Sequence, residues 1–303
     1  LFRYFFLWPV HIIDIFLCTG KNLKIFLKYL RKKKLNQLKK NSGSFRDPAG
    51  EVYHYNDRII RIIKEKGKTR FDYIKKNNLI KESIEKKFLI ESKEIENEFG
   101  NLPSGEICYF IEHEKIDYIS YPYEWSFFQL KAAALHHLNY QIFLLEKNTV
   151  LIDATAYNIQ FKNNKPIFID LLSLDKYNEG DYWIGYNQFL REFLNPLLMQ
   201  SLKGITFNNW YKGNLNGIYT EDLNKMLSIK NKISLKVYMH VVLLAKFLRK
   251  TISDPNKIIN KFKNKKYLSK NSYKSILIQL KKWIENLEPT KRKSVWENYS
   301  IEN

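Results

Sequence analysis

Three residues in one short stretch have the types and spacing needed to hold a hard cation beside a reacting hydroxyl: Asp153, Asn158 five positions on, and Asp170 twelve further. Two apolar segments, one leading into Lys162-Asn163-Asn164-Lys165 and one leaving it, predict an antiparallel hairpin with a polar turn. If Asn163-Asn164 is the two-residue loop, 162 faces 165, and Asn158 lies opposite Ile169, one residue from Asp170. The hairpin would then hold Asn158 and Asp170 at neighbouring ends, as two oxygen ligands of one cation must be. Asp153 sits on the loop feeding the first strand. Mg²⁺ favours one or two protein oxygens together with substrate phosphates, so an Asp, Asn, Asp trio is the least that phosphoryl transfer needs.

The elements around this stretch have their own signals. Ser126 with Gln129 three residues on predicts an N-capped helix, its buried stripe made by Phe127, Leu130, Ala134, Leu135, Leu138, Ile142 and Leu145. Upstream, residues 51–55 and 58–63 flank Asn56-Asp57, predicting a second hairpin. The Lys/Glu-rich residues 69–99 predict about two helices, Glu106 to Ser120 strands, and Tyr121 to Trp125 an extended break. Beyond residue 180 the chain reads as helical, broken near Gly204, Gly213 to Gly217 and Asp254-Pro255.

The trio, its spacing and the helix before it resemble the catalytic loop and metal-binding Asp of the protein-kinase-like fold, above all the aminoglycoside and choline kinases. The resemblance implies an α+β bilobal fold, with a small β-containing first lobe and a mainly helical second lobe. It implies that Asp153 orients or deprotonates a small or sugar-like hydroxyl acceptor, while Asn158 and Asp170 hold Mg²⁺ on ATP. Tyr118 to Trp125 would be the hinge beside the adenine, with Tyr123 and Glu124 as nucleotide-binding residues. The 51–63 hairpin would belong to the smaller lobe. Leu151 stands where kinases usually have the loop His, and Leu171-Leu172 follow Asp170. The sequence has no Gly-rich phosphate loop and no Val-Ala-Ile-Lys strand, and Arg61 is the nearest candidate for the missing lysine.

A second resemblance covers more of the chain. Ser44-Phe-Arg-Asp-Pro-Ala-Gly50, Tyr118-Ile-Ser-Tyr-Pro-Tyr-Glu-Trp-Ser126, residues 153–161 and Pro166 to Asp170 resemble the front half of bacterial nodulation-type, class I S-adenosylmethionine-dependent methyltransferases. In that family the methyltransferase core follows a segment similar to Trp283 through Tyr299. Residues 1–303 have no Asp-x-Gly-x-Gly-like loop after a strand, which a class I site needs for close backbone approach to its cofactor. The expectation is a kinase-like front domain, or a non-catalytic module presenting a substrate or partner, with S-adenosylmethionine bound only in a domain outside this chain. The expected domains are a basic amphipathic helical extension and linker over 1–43, an α+β first lobe over 44–120, and a helical second lobe over 121–303 containing hairpin 150–170.

Composition narrows the remaining classes. The 303 residues carry 51 Lys+Arg against 31 Asp+Glu, a formal charge of +20, yet 45% are hydrophobic, enough for a core. The positive excess is mostly Lys scattered along the chain, and no zinc-finger spacing, ribonucleoprotein motif or Arg-rich stripe accompanies it. No specific nucleic-acid partner is expected. Cys18 and Cys108 stand alone, which excludes a disulfide framework and suits the cytoplasm. Residues 1–17 are apolar but interrupted by Arg3, Pro9, His11 and Asp14. With the basic amphipathic pattern that follows, residues 1–40 are a candidate for peripheral contact with an anionic membrane, or a cap on the body of the protein. His136-His137 and Trp125, Trp183 and Trp210 are expected to pack rather than bind metal or bases.

Overall fold

The computed structural model describes residues 38–41, 47–99, 106–253 and 268–290. The proposed membrane-contact segment, residues 1–40, lies outside these except at 38–40. There Leu38–Lys40 (β1) is a strand paired with Tyr53 to Tyr55, not the helix expected from its lysines. The chain has a mixed α and β architecture and divides into two units, residues 1–72 with 91–115 and residues 73–90 with 116–303.

The first unit is built on a five-stranded sheet of Leu38–Lys40 (β1), Gly50–Tyr55 (β2), Arg58–Lys64 (β3), Ser92–Ile95 (β4) and Ile107–His113 (β5), in the order β1-β2-β3-β5-β4. All its neighbours are antiparallel. The predicted hairpin is present. Tyr55 pairs with Arg58 across Asn56-Asp57, and Asn56 takes the left-handed φ of 53° that Asn tolerates. Residues 65–85 form two helices, Glu65–Lys76 (α1) and Leu79–Glu85 (α2), but 92–95 is an edge strand rather than helix. Tyr53, Tyr55, Ile60, Ile62, Phe99 and Phe110 make the core. Beside it the buried Glu51 carboxylate accepts from Lys40, Lys64 and Tyr53, so the buried charge is paired. Cys108 lies half-buried on β5, its thiol pKa pushed to about 11 by burial and by a hydrogen bond to Glu65, which keeps it a poor nucleophile.

The second unit is organised by Phe127–Glu146 (α3), capped by Ser126 and Gln129 as the sequence predicts. Its buried face is broader than a stripe. Ala133, His137, Tyr140, Gln141 and Leu144 are buried as well, whereas Leu135 and Ile142 are only half-buried. The reason is that α3 packs against both Lys165–Phe168 (β8) and the late helix Lys270–Glu285. Main-chain bonds from Ile90 N to Phe168 O and from Phe168 N to Phe88 O dock residues 88–90 onto β8. Hairpin β7–β8 (Ile159–Lys162 with Lys165–Phe168) has the predicted register, Lys162 facing Lys165 and Ile159 facing Phe168. Asn163 and Asn164 take φ of 50° and 61° in its turn. Thr149–Leu151 (β6) pairs with Leu174–Lys176 (β9). Residues 186–253 are helical pieces, with π turns at Leu190–Leu194 and Tyr238–Leu243. No helix among the described residues is long and apolar enough to cross a membrane.

Candidate functional site

Asp153, Asn158 and Asp170 are brought together within the second unit. The strand pairing extends one bond past the hairpin, from Ile169 N to Asn158 O at 2.9 Å, so Asn158 and Asp170 leave its open end side by side. Ser173 bridges their side chains: its Oγ accepts from Asn158 Nδ2 at 3.2 Å and donates to Asp170 Oδ2 at 2.6 Å. The Asn158 amide also hydrogen-bonds Asp153. With its nitrogen committed in this way, the Asn158 carbonyl oxygen is the end suited to a cation.

Asp153 is held by the turn it starts. Its Oδ1 accepts from Thr155 N at 3.1 Å, and the Gln188 side chain bonds both Asp153 and Ala154 N. Burial pushes the Asp153 carboxyl above its ordinary pKa, and the nearby Asp170 charge pushes the same way, against the hydrogen bonds from Gln188, Thr155 N and Asn158. A half-buried carboxylate of raised basicity suits proton acceptance from a hydroxyl.

Beneath this loop lies Glu192, buried, whose Oε2 accepts from Thr155 Oγ1 at 2.7 Å and Ala156 N at 2.9 Å. Burial raises its carboxyl pKa, and the two donors oppose that. Glu192 sits in the π turn Leu190–Leu194. Pro196 has no N–H to return to the Glu192 carbonyl four residues back, which breaks the α-helical ladder there. The neighbouring Arg191 carbonyl leaves the ladder and accepts from Ile218 N at 2.9 Å. Gly217, at φ 78°, permits this approach, since a Cβ there would lie 2.2 Å from Arg191 O.

The nucleotide-site candidates Tyr123 and Glu124 lie in the short 3-10 turn Pro122–Glu124, where Glu124 accepts from Tyr121 N and Tyr123 stacks on Tyr121. Gln160 fastens the segment before this turn by two bonds to the Ser120 main chain. Arg61 lies in the first unit, buried on β3 between His113 and Asp47. Trp125 and Trp183 are buried as expected, while Trp210 is part-exposed at 36%. His137 is fully buried against Phe168, Trp183, Phe189 and Phe193. His136 bonds the Phe88 carbonyl.

Ser173, Gln188 and Glu192 escaped the sequence reading. The one available signal was Glu192 itself, an acid within the apolar run Phe189 to Leu198. Among the described residues no three His, Cys, Asp or Glu side chains could hold a metal ion by themselves. The donor set at Asn158 and Asp170 is one amide and one carboxylate oxygen, hard ligands of the kind Mg²⁺ accepts when phosphates and water supply the rest.

The site and elements thus define a mixed α and β protein with an Asp, Asn, Asp cluster at the end of a hairpin. No family model matches the chain. Over 263 residues, 86% of its length, it is homologous to the nodulation protein NoeA of Rhizobium meliloti (strain 1021), at 38% identity. The match covers 55% of NoeA, so the chain spans about half the length of this curated relative. Among solved structures, the Mycobacterium tuberculosis PknI kinase domain aligns at a TM-score of 0.29 and 10% identity, over 44% of this chain and 58% of that one.

Proposed function

We propose that the unit of residues 73–90 and 116–303 carries a kinase-like phosphotransfer site for MgATP and the hydroxyl of a small or sugar-like acceptor, in a cytoplasmic bacterial protein of the nodulation type. The observation that supports this reading is the hydrogen-bonded set Asp153, Asn158, Ser173 and Asp170 at one end of a rigid hairpin. Asn158 and Asp170 would hold Mg²⁺, which when bound neutralises phosphate charge. Asp153 orients the acceptor hydroxyl and takes its proton on a carboxylate oxygen. Thr155 N and Gln188 keep that oxygen aimed, and Ser173 keeps Asn158 and Asp170 in register. The experiment is transfer from γ-labelled ATP to a panel of hydroxyl acceptors by the intact protein. Asp153→Asn is expected to lower transfer by about 10²-fold or more while MgATP binding persists. Transfer that survives the substitution refutes the role of Asp153.

A second reading is favoured by the coverage of NoeA, of which this chain matches 55%. In it the kinase-like module is non-catalytic and presents a substrate or partner to an S-adenosylmethionine-dependent methyltransferase domain lying outside these residues. Phosphotransfer abolished by Asp153→Ala excludes that reading.

A further inference from the structure

Residues 229–249 carry an exposed apolar ridge that neither the hairpin site nor the core uses. Ile229 is 80% exposed, Ile233 77% and Leu235 74%, and Met239 at 53% and Leu243 at 37% continue it. The core is served by other residues of the same segment, since Val237, Val241 and Ala245 are buried at 3%, 0% and 0% exposure. Among the described residues the outward aliphatics are therefore not part of the core, and exposed apolar surface of this kind marks a contact site. Between them runs a shallow groove of about 440 Å³ to which Tyr238 and Val242 contribute.

Charge selects the occupant. From Leu223 to Ser253 the sequence has seven Lys or Arg and no Asp or Glu. Lys230, Lys236, Lys246 and Arg249 are exposed, and Lys232 lines the groove. A second copy would bring the same basic ridge against this one, and the lysine-rich 21–40 segment would bring more positive charge, so both are repelled. Protruding aliphatics set among lysines match the interface of an anionic bilayer, where apolar side chains enter the headgroup boundary and lysines meet lipid charge. We propose that residues 229–249 are a docking surface for anionic phospholipid membranes, separate from the phosphotransfer site.

The test uses the intact protein with vesicles of phosphatidylcholine alone and of phosphatidylcholine with phosphatidylserine. Cosedimentation is expected only with the anionic vesicles, falling as salt rises. The Ile229→Asp/Ile233→Asp double variant, with an unchanged circular dichroism spectrum, is expected to bind about tenfold or more weakly. Hydrogen exchange on the vesicles is expected to slow in residues 229–243, which distinguishes this surface from residues 1–40. No binding, binding unaffected by the double variant, or protection confined to other segments overturns the proposal. Capture of an acidic amphipathic peptide without vesicle binding also overturns it, assigning the ridge to a protein partner.

Discussion

Glu192 determines how the Asp153 loop stands, because one buried oxygen holds both the Thr155 hydroxyl and the Ala156 amide. Glu192→Ala leaves that buried amide without an acceptor and is expected to cost about 1–3 kcal/mol, with a larger fractional loss of transfer than of stability. Glu192→Gln keeps one acceptor oxygen and should lose less; thermal melts and transfer rates of the two variants check the order. His137 is a different case. Both its ring nitrogens are buried without a hydrogen-bond partner, and burial holds its pKa down at about 3, as it holds that of His136 at about 4. An unfolded histidine titrates near about 6.5, so below that pH the unfolded chain takes a proton that the folded chain refuses. Stability is accordingly retained above that pH and lost as pH falls toward the folded values. His137→Leu is expected to raise stability by about 1 kcal/mol at neutral pH and to flatten the acid slope, measured by urea unfolding between about pH 5 and about pH 7. An unchanged slope contradicts the assignment. Sequence could place His137 on a helix, but its burial depends on Phe168, Trp183, Phe189 and Phe193, which only the fold brings near.

At the scale of elements, the hairpin was legible because two apolar arms around Asn163-Asn164 admit one register that pairs them fully. Both turn residues are left-handed, so Asn164→Ala is expected to cost about 1 kcal/mol and to weaken nucleotide binding, whereas Asn164→Gly should cost nothing. Melting curves with MgATP titrations of both variants decide this. Gly217→Ala is expected to lose more than about 2 kcal/mol, since its Cβ meets the Arg191 carbonyl that the π turn releases; a melting temperature within error of the parent's would contradict that account. The capped helix after Ser126 was equally readable, cap and first turn being local. Strands 38–40 and 92–95 were not. Both are short, polar sheet edges whose pairing is decided by distant partners, His54 and Glu112 among them. The π turn was hidden too, because it arises from Pro196 acting together with Gly217 rather than from any periodicity.

At the scale of the molecule, the division into two units passes through helix Glu65–Lys76 and returns residues 73–90 to the helical unit. Local composition carries no mark of this, since residues 88–90 are held by main-chain pairing with Phe168, far along the sequence. The charge of +20 invites polyanion binding, yet its lysines are dispersed. Any affinity for nucleic acid is expected to be indifferent to sequence and to fall steeply with salt, as filter binding of unrelated duplexes would show; salt-resistant preference for one sequence would contradict this. The 38% identity to NoeA runs over 86% of the chain and so is not confined to the stretch that carries the trio. In the proposed function, Asn158 and Asp170 form the metal-nucleotide site. Calorimetric titration of the intact protein with ATP in the presence of Mg²⁺ tests it most directly. Saturable binding that requires Mg²⁺ and disappears in Asp170→Ala is the result expected; no binding to the intact protein, or binding undiminished by Asp170→Ala, would contradict it.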